Sequence, residues 1–266
     1  MYSYKKVLFI FLLLFSNAFS NIWAEIQGKT KELGAIWFIG DSITQSNADK
    51  DDKGSPRKAL YDILKANQYS FTFTGHHNRN IDGLPNTGTT AKDNLYQFHS
   101  GVSGILIGDT IHEKKPYVGI APFLPKAWQQ GRLAEVKPQI ILILLGANDV
   151  NRAHDLVHAP RRLKKLLNTI YQLPDVGDPT IFLASITPNR KDKIKEENVI
   201  AFNKAVPQIV KEYQQKGRKI HFVDIFTPIN KKYEESMNGD NLHPNAFGNQ
   251  LMAEQWFKAI KKKYNE

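Results

Sequence analysis

Five short apolar segments alternate with longer amphipathic segments along this chain, and the alternation restricts the folds open to it. The segment at Gln139–Leu145, QIILILL, is aliphatic almost throughout, as in a strand that is covered on both faces of its sheet. Parallel strands need a crossover between them, which is usually a helix. The five segments predicted to form a parallel sheet are Ala35–Ile39, Ser70–Thr74, Gln139–Leu145, Thr180–Ile186 and Ile220–Asp224.

Four longer segments carry apolar residues at the three- and four-residue spacing of an amphipathic helix. One of them contains Pro207, which predicts a kink or a break at that position. Helices that connect parallel strands cover both faces of the sheet, so the expected fold is a three-layer α/β/α arrangement of the α/β class. The predicted helices are Ser55–Gln68, Arg161–Leu173, Glu196–Lys216 and Ala246–Tyr264.

The first residues have the features of a secretory signal peptide. Two lysines precede an unbroken apolar run over Val7–Phe15, which is shorter than the roughly 20 residues of a membrane-spanning helix. A small-x-small site ending at Ser20 predicts removal of residues 1–20, with cleavage as late as residue 24 as the alternative; a retained membrane anchor is the other possibility. Residues 25–266 are expected to form one secreted or periplasmic domain with no stable insertion in a membrane.

Charge and cysteine content narrow the possible functions. The chain carries 36 Lys and Arg residues against 26 Asp and Glu, a net charge of +10. The excess is spread over basic pairs such as Arg161-Arg162, which are interpreted as solvated helix faces; affinity for an anionic polysaccharide or envelope surface is the alternative. No nucleic-acid-binding motif is present, so no nucleic-acid partner is expected. The absence of cysteine excludes a cysteine nucleophile and thiolate metal sites.

Polar motifs directly follow two of the predicted strands. Gly40-Asp41-Ser42 ends the first strand, and Gly146-Ala147-Asn148-Asp149 ends the QIILILL strand. Ligands bind at the carboxyl ends of the strands in open α/β sheets. Each motif alone is more often an ordinary turn or helix cap. Because both motifs follow strands of one sheet, we expect Ser42 and Asn148 to lie at the same edge of that sheet. Asp149 is expected to have a structural role.

A general base and its partner are found near the C-terminus. A serine hydroxyl is a poor nucleophile unless a base takes its proton. His243 is the candidate base for Ser42, and Asp240, three residues earlier, can hold the useful imidazole tautomer. Pro244 favours an extended backbone at His243, which places the histidine in a loop before the last helix.

Ester hydrolysis also needs hydrogen-bond donors where negative charge develops on the carbonyl oxygen. The backbone N–H of Ser42, the backbone N–H of Gly104 and the side-chain amide of Asn148 are the candidates. Glycine allows a ligand to approach the backbone closely, and an asparagine amide donates without adding charge. An ordinary turn is the alternative interpretation for both Gly104 and Asn148.

The segment 76–125 is rich in Gly, Asn, Asp and aromatic residues and is too long for an ordinary connection. Its aromatic residues are interpreted either as a wall on which sugars stack or as anchors that pack the segment onto the core. The adjacent histidines at its start, His76 and His77, could bind a metal ion, but they are interpreted as exposed loop residues. The aromatic residues in question are Tyr96, Phe98, Tyr117 and Phe123.

The four motifs occur in the order Ser, Gly, Asn and Asp-x-x-His, and the chain resembles the SGNH (GDSL) hydrolase superfamily, which is named for these residues. The resemblance covers nearly all of the predicted mature chain, and the block DNLHPNAFG that starts at Asp240 is a particularly close match. It implies a flavodoxin-like SGNH-hydrolase fold with a five-stranded parallel sheet. The roles it implies are Ser42 as nucleophile, His243 as base with Asp240 as its partner, and Ser42, Gly104 and Asn148 in the oxyanion hole.

Within that superfamily the chain is most similar to bacterial carbohydrate acetylesterases of the acetylxylan-esterase type. Those enzymes commonly have His-Glu-Gly-x-Ser-Gly followed by an aromatic residue. Here Ser100 replaces the glutamate and Ile105 replaces the aromatic residue, a departure that bears on the substrate more than on the mechanism. The motifs that carry the similarity are GDSIT from Gly40, SPR from Ser55, HSGVSG from His99 and FNKAVP from Phe202.

The sequence therefore predicts a secreted serine esterase that removes acetyl or other small acyl groups from a small-molecule or polysaccharide substrate, through an acyl-enzyme intermediate and with no cofactor or metal. The alternatives are a lipid-directed esterase, lysophospholipase or thioesterase, and a catalytically idle carbohydrate-binding protein. The G-x-S-x-G, H-E-x-x-H, Walker A and G-x-G-x-x-G motifs of other enzyme classes do not occur. No oligomeric state is specified.

Overall fold

The structure is a computed structural model that describes residues 30–46, 55–76, 98–130, 133–153 and 155–265. The predicted signal peptide, with both of its cleavage sites, lies outside these ranges, as do His77 and Tyr96. Within the ranges, no helix combines the length and the apolar character that crossing a bilayer requires.

The central sheet is built from parallel strands in the order β2-β1-β6-β7-β8. Counted by the five long strands alone, this is the 2-1-3-4-5 order of a flavodoxin-like doubly wound sheet. A two-residue strand, β3, also pairs with the end of β1, and β4 and β5 form a separate antiparallel hairpin. The strands are β1 (Lys31–Gly40), β2 (Tyr69–Thr74), β3 (Ser100–Gly101), β4 (Thr110–His112), β5 (Lys115–Tyr117), β6 (Ile140–Leu144), β7 (Thr180–Ala184) and β8 (Ile220–Val223).

The helices cover both faces of the sheet, so the predicted three-layer α/β/α fold is confirmed. The helix that contains Pro207 continues through that residue, and the predicted break does not occur. Its apolar face is buried on both sides of the proline, at Val206 and at Ile209, and this packing holds the helix together. The helices are α1 (Ser42–Gln45), α2 (Pro56–Ala66), α3 (Leu124–Gln130), α4 (Leu133–Val136), α5 (Ala147–Arg152), α6 (Ala159–Tyr171), α7 (Lys193–Gln215), α8 (Phe226–Lys231), α9 (Tyr233–Ser236) and α10 (Ala246–Asn265).

The core divides into two apolar clusters, one on each face of the sheet. In β1, Trp37 and Ile39 belong to the cluster with α6 and α7, whereas Ile36 and Phe38 belong to the cluster with α2 and α10. This is the two-residue alternation of a strand, applied to residues that are all apolar. It explains why β6 and β7 are almost entirely apolar, whereas β2, at the edge of the sheet, alternates between polar and apolar residues.

The register of the sheet brings three strand ends together. Gly40, the last residue of β1, is paired with Leu144 at the end of β6 and with Gly101 at the end of β3. The segments that follow these three strands therefore start side by side at the carboxyl edge. They carry Ser42, Gly104 and Asn148.

Candidate active site

Ser42 is the first residue of α1, directly after β1. Asp41 caps this short helix, because its Oδ1 accepts the backbone N–H of Ile43 at 3.0 Å. The buried Arg57 of α2 holds the other end of α1: its Nε and Nη2 donate to the carbonyl oxygens of Thr44 and Gln45 at 2.9 and 2.8 Å. Hydrogen bonds at both ends of α1 therefore fix the position of Ser42 at the end of β1.

The Ser42 hydroxyl meets the imidazole of His243. The distance from Oγ to Nε2 is 2.8 Å, across 201 positions of sequence. On the other side of the ring, Nδ1 lies 2.6 Å from Oδ2 of Asp240. A carboxylate at Nδ1 selects the tautomer that carries its proton there, which leaves Nε2 to accept the serine proton.

The carboxyl group of Asp240 is stabilised in its ionised form. Partial burial acts to raise its pKa, but hydrogen bonds from the backbone N–H of His243, from the imidazole and from the N–H of Leu242 outweigh this effect and lower the pKa. Asp240 is therefore ionised at neutral pH and able to orient the histidine.

Hydrogen bonds to the Tyr233 hydroxyl hold the loop that carries Asp240 and His243. The hydroxyl donates to Oδ1 of Asn241 at 2.9 Å and accepts the backbone N–H of Arg190 at 3.1 Å. Asn241 has a left-handed backbone with φ of 60°, and the N–H of Asn238 closes the loop on the carbonyl of His243 at 2.9 Å. These contacts explain how a loop can hold Asp240 and His243 in one geometry.

The turn that contains Gly104 is tied to the nucleophile's helix. The N–H of Val102 donates to the carbonyl of Gly40 at 3.1 Å, and the N–H of Ser103 donates to Oε1 of Gln45 at 2.6 Å. Gly104 itself has φ of 74°, the left-handed region that favours glycine. Within the ranges that the structure describes, its N–H has no protein acceptor, so it is available to a ligand.

Asn148 is the second residue of α5 and is almost fully buried. Its Nδ2 donates to the carbonyl of Ile105 at 3.1 Å, which places its amide against the turn that contains Gly104. An amide nitrogen has two N–H donors, so one remains after this bond. The structure thus brings Ser42, Asp240 and His243 together by hydrogen bonds, and it brings Gly104 and Asn148 together at the neighbouring turn.

Asp149 has the structural role expected for it. Its Oδ2 accepts the N–H of Ile107 at 3.0 Å, and its Oδ1 accepts Nε and Nη2 of Arg162 at 3.2 and 2.8 Å. Burial raises the pKa of Asp149, and the bonds from Arg162 and Ile107 oppose that rise. The carboxylate therefore ties the segment after Gly104 to helices α5 and α6.

Arg162 was missed by the sequence interpretation, which treated the Arg161-Arg162 pair as a solvated helix face. Arg161 is exposed as expected, whereas Arg162 is buried. The helical spacing carries a signal, since Arg162 lies three residues after Ala159 and four residues before Leu166, both on the apolar face of an amphipathic helix. Only the position of Asp149 shows why a charge is buried there.

Ser100 forms part of a buried polar cluster. Its hydroxyl accepts the indole N–H of Trp37 at 2.7 Å and lies 2.7 Å from Nδ1 of His76. The interpretation of His76 as an exposed loop residue is wrong, because its side chain is buried against β3. The cluster fixes the start of the segment that carries Gly104.

Asp41 is a fully buried carboxyl group directly beside the nucleophile. Burial raises its pKa to about 7, while the hydrogen bond from Ile43 and the charge of His243 act in the opposite direction and the nearby Asp149 adds to the rise. In the part of the chain that the structure describes, its Oδ2 has no hydrogen-bond partner. Asp41 is thus poised between its neutral and ionised forms near neutral pH.

The aromatic residues of segment 76–125 have different surroundings. Phe98 is exposed, Phe123 is half-buried in a 3₁₀ turn, and the half-buried Tyr117 lies under Arg152, with the guanidinium carbon 5.9 Å from the ring centroid. Of these residues Phe98 is exposed to solvent, whereas Tyr117 and Phe123 are partly packed against the protein.

A cavity of about 840 Å³ lies at the amino edge of the sheet, away from Ser42, with Lys137, Lys219 and Lys263 among its lining residues. Among the described residues, no group of three or more His, Asp or Glu side chains is arranged to hold a metal ion.

Comparisons with known proteins agree with the sequence motifs. Residues 36–256 match the family model described as GDSL-like Lipase/Acylhydrolase. A "Multidomain esterase" of Ruminococcus flavefaciens is 27% identical over 234 residues, which cover 85% of this chain and 28% of that protein. The chain thus spans less than a third of the length of this curated relative.

Solved structures show the same fold at low sequence identity. A family 3 carbohydrate esterase of Clostridium thermocellum has a TM-score of 0.62 and 22% identity, covering 88% of this chain and 98% of that one. A catalytic mutant of an acetylxylan esterase from Geobacillus stearothermophilus has a TM-score of 0.56 and 19% identity, covering 87% of this chain and 96% of that one.

Proposed function

The chain belongs to the GDSL-like lipase/acylhydrolase family, and from that premise we propose that it is a serine esterase that hydrolyses acetyl or other small acyl esters on carbohydrates. The observation that carries the proposal is the unbroken line of hydrogen bonds from Ser42 Oγ through the His243 ring to Asp240, at 2.8 and 2.6 Å. A nucleophile, a base and an ionised orienting group in this order are the parts that acyl transfer requires.

In the first half-reaction, Nε2 of His243 takes the Ser42 proton as Oγ bonds to the ester carbonyl carbon. The carbonyl electron pair moves to oxygen, and the resulting oxyanion accepts the N–H groups of Ser42 and Gly104 and the amide of Asn148. When the tetrahedral intermediate collapses, the bond to the leaving oxygen breaks and the imidazolium donates its proton to that oxygen. The products are a free alcohol and an acyl group on Ser42.

In the second half-reaction, water takes the place of the alcohol. His243 removes a proton from the water as its oxygen attacks the acyl carbon, and the same donors hold the second oxyanion. Collapse returns the proton to Ser42 Oγ and releases the carboxylic acid. Asp240 stays ionised throughout and stabilises the positive charge on the ring.

The carbohydrate target is supported by the structural similarity to a family 3 carbohydrate esterase and to an acetylxylan esterase. The acetylxylan esterase also supports a small acyl group. The predicted signal segment, with its apolar run at Val7–Phe15, supports a secreted or periplasmic location, where such polymers are met.

The test is acetate release from acetylated xylan, pectin and peptidoglycan by the full chain and by Ser42→Ala. We expect release from at least one polymer by the wild type and none by the variant, with both proteins folded by circular dichroism. Unchanged turnover by Ser42→Ala would remove the proposed nucleophile, and a wild type without esterase activity would favour the idle carbohydrate-binding alternative.

Synthetic esters of increasing acyl length separate the proposal from a lipid-directed esterase or thioesterase. Activity confined to acetyl and propionyl esters supports a small acyl pocket. Activity that rises steadily with chain length contradicts it and favours the lipid-directed alternative.

A further inference from the structure

We propose that Arg152 is a specificity-determining residue that binds a carboxylate carried by the substrate close to the scissile ester. The preferred substrates are then esters of acidic sugars such as uronic acids, rather than of neutral sugars. This inference rests on the proposed esterase function and names the substrate class of the same site.

The position of Arg152 follows from helix α5. Asn148 and Arg152 are four residues apart, so their side chains lie on the same face of the helix. That face meets the turn at Gly104 and Ile105: Asn148 donates to the Ile105 carbonyl, and Nη2 of Arg152 lies 3.1 Å from the point where a Cβ on Gly104 would be. The guanidinium therefore borders the place proposed for the ester carbonyl oxygen.

Among the described residues, no carboxylate pairs with the charge of Arg152, whose guanidinium lies over the ring of Tyr117. A cation–π contact of this kind uses none of the guanidinium N–H donors, which therefore remain for a ligand. The side chain is also exposed, so a substrate can reach it.

The other arginines that approach this edge of the sheet are engaged. Arg57 donates to the carbonyls of Thr44 and Gln45. Arg162 is bound by Asp149 and Asp155, and Arg190 by Glu196 and Asn230. Each of these three arginines donates to acceptors within the protein. Among the described residues, Arg152 has no such acceptor.

A structural role does not account for this placement. The Gly104 turn is already held by the bonds from Val102 to Gly40, from Ser103 to Gln45 and from Ile107 to Asp149. A planar, permanently charged fork suits a carboxylate, which it can bind through two parallel hydrogen bonds. The net charge of +10 also favours the approach of an anionic polymer.

The test uses two substrates that differ only in a carboxylate: a mono-acetylated methyl glucuronoside and the methyl glucoside acetylated at the same position. The readout is the ratio of kcat/KM for the uronide to kcat/KM for the glucoside. We expect the wild-type ratio to exceed one and to fall as salt is added, because the pair is partly solvent-exposed. Arg152→Ala should lower the ratio about fivefold to tenfold, mainly through KM for the uronide.

Two further substitutions at the same position separate charge from shape. Arg152→Lys should keep part of the preference, since it retains the charge without the planar fork. Arg152→Glu should take the ratio below one, because a carboxylate facing a carboxylate is repulsive. A ratio that is the same in all four proteins would overturn the proposal.

The matched control is Arg218→Ala. Arg218 is also exposed and lies over a tyrosine ring, Tyr171, at 4.5 Å, but it immediately precedes β8 and is therefore at the amino edge of the sheet. It should leave the ratio unchanged. An equal fall in Arg218→Ala would show a general charge effect and would contradict a local carboxylate site. Ser42→Ala is assayed in the same experiment to test the esterase proposal separately. If Ser42→Ala keeps its activity, the esterase proposal fails; if it is inactive while the Arg152 variants leave the ratio unchanged, only the carboxylate site fails.

Discussion

The carboxylate of Asp149 is completely buried, and its Oδ1 lies 2.8 Å from Nη2 of Arg162. This ion pair sits behind the turn that contains Gly104, because the other carboxylate oxygen accepts the N–H of Ile107. A buried pair costs free energy to desolvate, and breaking it is costly because one charge is left without compensation. The pair therefore links the stability of the fold to the geometry of the site.

Arg162→Met should lower the free energy of unfolding by about 3–5 kcal/mol, because the buried Asp149 carboxylate loses its partner. Urea denaturation measures this change. Arg161→Met is the matched control, since Arg161 is its exposed neighbour and should stay within about 0.5 kcal/mol of the wild type. The double variant Arg162→Met, Asp149→Asn should be less destabilised than the sum of the two single changes; simple additivity would contradict the coupling.

Asn148→Ala should lower kcat on the order of 10²–10³, by analogy with the loss of other oxyanion-hole donors. Asn151→Ala, on the same helix, is the control, because its side chain contacts Asn189 rather than the Gly104 turn. Steady-state kinetics on an acetyl ester measure both effects. A loss below about twofold at Asn148 would remove it from the oxyanion hole.

Gly104→Ala should both destabilise the protein and impair catalysis. Its φ of 74° costs an L-residue about 1–2 kcal/mol, and the new Cβ would crowd Arg152. Gly177→Ala is the control, because Gly177 has nearly the same φ, 73°, with open space around the added Cβ at the opposite edge of the sheet. Both variants should lose similar stability, and only Gly104→Ala should lose kcat; equal kcat losses would show that strain alone explains the effect.

Asp41 should make the stability of the protein fall as the pH rises from about 4 to 7. Its folded-state pKa of about 7 lies above the ordinary value of 3.8, so the folded state binds more protons than the unfolded state in this range. The stabilisation is complete at pH values below 3.8 and is lost as the pH rises through 7. Asp41→Asn removes this dependence.

The measurement is the free energy of unfolding of the wild type and of Asp41→Asn, determined with urea at several pH values between 4 and 8. As the pH increases, the free energy of unfolding of the wild type should fall relative to that of Asp41→Asn. Contributions from groups that do not interact with Asp41 are common to both proteins and cancel. A difference that does not vary with pH would show that Asp41 titrates at its ordinary pKa.

Much of the fold could be predicted from the sequence because its patterns are local. Strands β1 and β6 contain continuous apolar runs, and the ends of those runs mark where the chain leaves the sheet before Ser42 and Asn148. The two-residue strand at Ser100 could not be predicted, since it is too short for any periodicity. Pro207 was misjudged as a potential break because burial of the surrounding helix face outweighs the local preference.

The sequence by itself determined which residues stand at the strand ends and which pairs are close along the chain, such as Asp240 and His243, whose three-residue separation allows their contact within one loop. Only the tertiary structure decided that Ser42 meets His243 and that Arg162 is buried on Asp149 rather than solvated. The physical reason is that contacts across 201 or 13 positions depend on the register of the sheet and on how helices pack over it. These are properties of the whole core, and no local pattern encodes them.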